Sequence, residues 1–319
     1  MNLPSSIYGW GVAARNALYD RGICSVHSLK GPVISVGNIT VGGSGKTPFV
    51  LMLGELLQQR GIPFDILSRG YGRQTRGVAE VDPAGTARQF GDEPLLMARR
   101  LQVPVVVGES RYQAGMFAEG KFGPQLHLLD DGFQHRSLAR DFDIVLVASE
   151  DLGDRLLPAG RLREPMASLA RAHAIVLATG ASTDGLPIDG KAVWRTTRGI
   201  VPTPIPERPI AFCGIARPQN FFAQLRAAGV QPAAEAVYRD HHSYTSGDVA
   251  ELLELRRRSD ARGFVTTEKD AVNLAELSPR LDPLAIVPVK MELQDPANSI
   301  DTMLRIIQER KRERIQLTS

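Results

Sequence analysis

Cysteine is nearly absent: the 319 residues hold two, Cys24 and Cys213, far apart and without a partner pattern. That excludes a disulfide framework and a cysteine zinc site, and a reducing compartment fits best. Aromatics are scarce as well, at 6% of residues, and beyond Tyr244 only Phe264 is aromatic. Nucleic-acid binding draws on basic surface interleaved with stacking rings, so no nucleic-acid partner is expected. The net charge of +3 is slight, although "RRR" at 256–258 and "ERKRER" at 309–314 gather positive charge. Such runs read first as solvated helix faces, with an anionic membrane surface as the sharper alternative. Long hydrophobic runs are missing too, and the first residues show neither a basic leader nor a signal-type apolar core. Neither a bilayer-spanning helix nor a cleaved signal is therefore expected.

What is present is an apolar fraction of 43%, ample for buried cores, on a chain long enough for two domains. "IYGWGVAARNALYDRGI" sets Ile7, Trp10, Ala14 and Leu18 at helical spacing, a stripe that serves either core packing or a membrane foot. Short apolar runs then alternate with helical patterns: "PVISVGNI", "PFDIL", "VPVVVG", "LHLLDD", "FDIVLVA" and "HAIVLAT" predict strands, and 46–60, 92–101 and 110–120 predict helices. Strands so apolar imply a mostly parallel sheet covered on both faces, an α/β fold. Between Thr179 and Pro209 the pattern decays into Gly- and Pro-rich turns. Two domains are expected, 1–205 and a smaller α/β domain over 206–319, whose alternating patterns run from "PIAFCGIA" through "GFVTT" to "LAIVPVKME" and end in a helix from about Asp295.

The chemistry concentrates in "GNITVGGSGKTPFV", residues 37–50, where four glycines and a lysine separate two apolar runs. Lying after a strand and before a helix, "GSGKT" has the context of a phosphate-binding loop. Its backbone N–H groups turn toward phosphate oxygens, Lys46 reaches the β and γ phosphates, and Thr47 can hold Mg²⁺. The nucleotide-binding stretch is Thr40, Val41, Gly42, Gly43, Ser44, Gly45, Lys46 and Thr47, with threonine at 40 where the strict pattern asks for glycine. Such a loop needs a carboxylate at the end of a neighbouring strand, and "LHLLDDG" supplies Asp130 and Asp131. The nearest approach to a guanine-specificity motif, "VTTEKD" at 265–270, has the wrong spacing, so the expected nucleotide is ATP.

Seven blocks occur in order: "SVGNITVGGSGKTP", "SRGYGR", "GDEP", "LLDDGFQH", "GRLREP", "RDHHSY" and "TTEKDAV". Together they resemble the tetraacyldisaccharide 4′-kinases, the lipid A 4′-kinases of Gram-negative bacteria. The resemblance implies a P-loop kinase domain joined by an extended two-strand linker to a smaller α/β domain. It implies transfer of the ATP γ-phosphoryl group, with Mg²⁺, to the 4′-hydroxyl of a tetraacyldisaccharide 1-phosphate at the cytoplasmic face of the inner membrane. By the same resemblance Asp130 and Asp131 are the acidic pair at the metal, Asp92 is the catalytic base and His241 its partner. Arg163 and Glu164 fall near the transferring phosphate and the metal, and Arg69, Tyr71 and Arg73 near the substrate's phosphate or sugar. The residues alone leave alternatives open. Asp92 also reads as the cap of the helix that follows, His242 competes with His241, and Arg163 and Glu164 also read as a surface ion pair. Glu268, Lys269 and Asp270 either face the nucleotide or cap a helix.

Overall fold

The computed structural model describes residues 3–201 and 203–318. Along the chain α1 (Leu3–Asp20) precedes β1 (Val33–Asn38), α2 (Lys46–Gln59), β2 (Phe64–Ser68), the short β3 (Ala79–Glu80) and α3 (Ala87–Phe90). Then come α4 (Asp92–Leu101), β4 (Val105–Val107), α5 (Arg111–Phe122), β5 (Leu126–Asp130), β6 (Phe142–Leu146), β7 (Ala174–Ala178) and β8 (Ala192–Ile200). The remainder comprises β9 (Ile210–Cys213), α6 (Pro218–Ala227), β10 (Ala234–Val237), α7 (Ser246–Arg258), β11 (Phe264–Thr267), α8 (Glu268–Leu274), β12 (Leu284–Val287), β13 (Val289–Leu293) and α9 (Pro296–Thr318).

The apolar runs became central strands. β1, β2, β5 and β6 are buried at every position, as strands covered on both faces must be. They lie in a nine-stranded sheet of order β13-β8-β7-β6-β1-β5-β2-β4-β3, parallel except at its two edges. One face is covered by α2, α4 and α9, through Phe49, Leu53 and Leu57, through Leu95 and Met97, and through Ile300, Met303 and Ile307. Truncating one of the buried leucines to alanine would cost about 2–5 kcal/mol. α5 covers the other face with Ala114 and Ala118 against Leu67 and Leu129. A second, all-parallel sheet of order β10-β9-β11-β12 has its own core around Phe212, Phe264 and Leu252.

Three sequence expectations changed. β8 falls in the stretch read as decayed pattern, because only Trp194 and Thr196 of its nine residues are buried and no apolar run announces it. "LAIVPVKME" is two strands. Pro288 separates β12, parallel to β11, from β13, antiparallel to β8; proline has no N–H to donate and marks the change of sheet. In consequence the stretch 206–319 does not stay together, since β13 and α9 return to the larger sheet and its core. Two antiparallel strands, pairing Arg198–Ile200 with Val289–Met291, form the crossing between the units. In the basic run at 309–314, Arg314 lies outside the described side chains.

The stripe on α1 is not core. Trp10 is 76% exposed, Leu3, Ile7 and Leu18 are exposed as well, and no residue of α1 is buried. The helix is held by polar contacts instead: Tyr8 donates to the Arg163 carbonyl (3.0 Å), Asn16 to Glu164 (2.9 Å) and Arg15 to the Gln134 carbonyl (2.6 Å). No helix among the described residues is long and apolar enough to cross a membrane.

Candidate active site

The loop after β1 ends on Gly45, the residue before α2, with φ +82°; Gly42 has the same φ. That left-handed backbone suits glycine, and it turns the chain so that the first N–H groups of α2 face outward together. Lys46 is fixed at its tip: its ammonium donates to Asn38 Oδ1 at 3.1 Å and lies 3.4 Å from Asp131 Oδ1. Asn38 in turn donates from Nδ2 to Thr40 Oγ1 at 3.1 Å. Thr40 is fully buried and faces this chain of bonds, which accounts for threonine where glycine was asked for.

Asp130 ends β5 beside β1, with Oδ2 accepting from Ser68 at 3.0 Å and Oδ1 buried without a partner. Burial, with Glu93 and Asp131 adding repulsion, pushes its carboxyl up to about 7. Its neighbour behaves oppositely. Burial resists ionisation of Asp131, but Lys46 and Arg163 outweigh it and hold that carboxyl below the usual range. Arg163 donates to Asp131 Oδ2 at 3.0 Å. An orphaned buried carboxylate oxygen in the cleft that Thr47 also lines fits a hard cation such as Mg²⁺, which takes few protein oxygens and completes its shell with phosphate and water. No cluster of three or more His, Cys, Asp or Glu forms a closed metal cage among the described residues.

Glu164 is not at this point. Fully buried, it takes Asn16 (2.9 Å), Arg171 (2.8 Å) and Gln134 (3.1 Å), and it does not line the cleft. The pattern "GRLREP" put it beside Arg163 in sequence, but the two adjacent side chains go to different partners, Arg163 to Asp131 and Glu164 to Arg171.

Across the cleft, Asp92 is the first residue of α4, after Gly91, and not the cap that its local sequence suggested. It is 4% exposed. His241 Nδ1 lies 2.9 Å from both carboxylate oxygens, the Glu93 N–H donates to Oδ1 at 2.9 Å and Asn273 Nδ2 to Oδ2 at 3.0 Å. Burial works against the charge on Asp92, yet His241, Lys269 and Asn273 bring its carboxyl below the ordinary range. Burial likewise opposes protonation of His241, and Asp92 reverses that, so the imidazole sits above its ordinary value. His241 occupies the left-handed region at φ +57°, a backbone cost that clusters at functional sites. His242 instead packs between Tyr238 and Tyr244, inside the smaller unit, facing Asp248 at 3.2 Å. Geometry thus brings His241, and not His242, to Asp92.

Both halves face one cleft of about 770 Å³ lying between the two sheets. Arg69 and Tyr71 line it, Tyr71 with its ring 5.0 Å from that of His241; Arg73 turns away to Glu109 (2.9 Å). Of the three candidates after β11, Lys269 reaches the cleft, with its ammonium 2.9 Å from Asp240 and 3.3 Å from His241 Nε2. Glu268 pairs with Arg100, while Asp270 is buried under Gly214 N–H, Tyr244 and Thr267. Sequence reasoning missed Asn38, Arg111, Arg198, Arg217 and Asn273. Asn38, a polar residue ending an apolar strand, carried a signal; the others are ordinary arginines and a helix asparagine until the chain folds.

Comparison with known proteins identifies the family. The family model for tetraacyldisaccharide-1-P 4′-kinase (LpxK) matches residues 2–308. The tetraacyldisaccharide 4′-kinase of Koribacter versatilis (strain Ellin345) is 48% identical over 98% of this chain and its own full length, and that of Aquifex aeolicus (strain VF5) is 40% identical over 85% of this chain and 89% of its own. The crystal structure of an "apo" form of LpxK from Aquifex aeolicus in complex with ATP superposes with a TM-score of 0.76 at 33% identity, over 96% of this chain and 98% of that one. With phosphate loop, acids and cleft in place and relatives matched end to end, the chain belongs to the tetraacyldisaccharide-1-P 4′-kinase family, the ATP-dependent 4′-kinases of lipid A biosynthesis.

Proposed function

We propose the following roles for the cleft residues in the 4′-kinase reaction. The phosphates of ATP lie along Gly42–Thr47 at the N-terminus of α2, where outward N–H groups and the helix dipole favour anions. Lys46, already steered by Asn38, neutralises β and γ oxygens. Thr47, Asp130 and Asp131 hold Mg²⁺, which when bound offsets charge on the phosphate oxygens. Arg163, bonded to Asp131, neutralises the equatorial oxygens of the transferring group. Glu164 acts as a post beneath the Arg163 segment and not as a ligand.

Asp92 accepts the proton of the 4′-hydroxyl as that oxygen attacks the γ-phosphorus. The bond from phosphorus to the bridging oxygen breaks, and ADP carries the electron pair away. A sugar hydroxyl is a weak nucleophile, so a positioned carboxylate contributes on the order of 10²–10⁴ in rate. His241 orients that carboxylate and Lys269 supports the imidazole from its other nitrogen. The observation that carries this reading is the 2.9 Å contact between Asp92 and His241, from different units, facing the same cleft as Lys46.

The lipid comes from a membrane surface, and the exposed stripe of α1 supports a peripheral position on the cytoplasmic face of the inner membrane, where ATP is present. A monotopic helix binds through apolar area plus nearby basic residues. We also read the chain as two domains: a kinase domain of residues up to about 205 rejoined by β13 and α9, and a smaller domain between the linker strands. The test incubates the protein with Mg-ATP and tetraacyldisaccharide 1-phosphate and looks for a lipid product heavier by one phosphate with equimolar ADP. Hydrolysis of ATP that is indifferent to the lipid would overturn the reading.

A further inference from the structure

We propose that Asn273 is the positioning residue that fixes the Asp92 carboxylate against His241, so that seating of the smaller unit readies the base. The proposal rests on the reading of Asp92 as base, and it adds a third group to the pair. Each carboxylate oxygen has one donor besides His241. The Glu93 N–H serves Oδ1 at 2.9 Å from the kinase side, and Asn273 serves Oδ2 at 3.0 Å from α8. Two fixed donors on two oxygens leave the carboxylate plane no rotation, which a single imidazole contacting both oxygens does not achieve.

α8 is built to deliver this side chain. Val272 and Leu274 flank Asn273 and are buried. Asp270, beneath the same turn, takes the Gly214 N–H (2.7 Å) and the Tyr244 hydroxyl (2.9 Å), locking the helix onto the smaller sheet. Lys269 and Asn273 stand four residues apart on one helical face, so both reach the acidic start of α4. Asn273 approaches Asp92 directly, while Lys269 lies 3.6 Å from Glu93 and 3.9 Å from Asp92. An amide also suits the charge balance. A buried carboxylate is stabilised by neutral and cationic donors, and this one has His241, Lys269 and Asn273 acting against its burial. The other charged groups near it are Glu93 on its own helix, Asp240 beside His241, and Lys46, Arg69, Arg111, Asp130, Asp131 and Arg163 along the cleft wall. Aspartate at 273 would set a second carboxylate about as close as the present hydrogen bond.

The experiment measures kcat against pH for the wild type, Asn273→Ala and the isosteric Asn273→Asp, together with urea stability against pH without substrates. Loss of the donor should lower kcat roughly tenfold or more, with KM for ATP nearly unchanged, as expected for a hydrogen bond to a charged group. It should also move the acid limb of kcat upward by about one pH unit, and Asn273→Asp should move it further. The substrate-free stability gap between wild type and Asn273→Ala should narrow as pH falls through the range where Asp92 protonates. A folded Asn273→Ala with an unmoved acid limb overturns the proposal, because mere loosening of α8 lowers kcat without moving the limb. Asp92→Asn separates the two claims. If it keeps wild-type kcat, the base assignment fails by itself, and the positioning contact then stands or falls on whether the substrate-free stability gap varies with pH.

Discussion

Asn38 and Asp131 hold the Lys46 ammonium at the loop tip, where ordering a free lysine would otherwise cost rotamer entropy. Lys46→Ala should lower kcat at least ~10²-fold, as removal of a preorganised charge-stabilising group does, with a melting curve close to wild type since the side chain supports no core. Wild-type turnover in the folded variant would remove the loop from catalysis. The Asp92–His241 pair makes a second residue-level prediction. Asp92→Ala should lose ~10²–10⁴ in kcat and His241→Ala less, and the double variant should be little worse than Asp92→Ala, since members of one catalytic unit are not additive. The pair also has a pH signature. Its carboxyl sits below the ordinary 3.8, so its stabilisation is present above that value and is lost as pH falls through the depressed one. Its imidazole sits above the ordinary 6.5, so its stabilisation is full below that value and is lost as pH rises through the raised one. The urea-stability difference between wild type and His241→Asn should therefore peak between the two ordinary values and shrink on both sides.

At the scale of elements, α1 departs most from ordinary packing. A helix that presents Leu3, Ile7 and Trp10 to solvent while docking through Tyr8, Arg15 and Asn16 has its polar face inward. Its Asn16 and Tyr8 contacts run to Glu164 and the Arg163 backbone, which places the apolar stripe beside the segment that presents Arg163 to the cleft. Trp10→Glu should weaken flotation with anionic liposomes while leaving the circular dichroism spectrum unchanged; undiminished flotation would show that the stripe does not meet the bilayer. The strand pair β8 and β13 is the other telling element. Pro288 lets one continuous apolar stretch serve two sheets, and the chain's return through β13 anchors the smaller unit at two points.

For the molecule as a whole, ion pairs join the units at their edges, while Val272 of α8 packs into the apolar core of the larger unit. Arg100 on α4 meets Glu268 on α8 at 2.5 Å, with Glu55 of its own unit 3.2 Å away, and Arg217 reaches Glu150 at 3.3 Å. Partly exposed pairs such as these contribute about 0–1 kcal/mol each, so the units are held in register without being welded, as a cleft that must admit and release a lipid requires. Hydrogen exchange of α8 and of residues 238–245 should slow when a non-hydrolysable ATP analogue and the lipid are present together. Exchange unchanged by both ligands would mean that the cleft does not close on them.

The sequence by itself determined the central strands, the phosphate loop and the acids at the end of β5, because these depend on local pattern: apolar runs too short for anything but buried strands, glycines where φ is positive, and charge where a strand ends. It also carried the blocks by which the chain resembles its family. What it could not carry was any choice made by distance across the chain. Asp92 had the local look of a helix cap, and only the approach of the 238–245 loop, 149 residues away, turned it into the partner of His241. On local residues alone His241 and His242 were equivalent, and only the family resemblance favoured His241, before the turn sent one ring to the cleft and the other between two tyrosines. The resemblance set Glu164 near the metal, whereas in the fold Asn16 of α1, Gln134 and Arg171 occupy its oxygens. Asn273 and Arg111 gave no local sign, and β8 escaped notice because a half-solvated strand has no apolar run. Periodicity and glycine register the backbone's own preferences, whereas pairing of buried charge is settled by whichever side chain tertiary packing brings within about 3 Å.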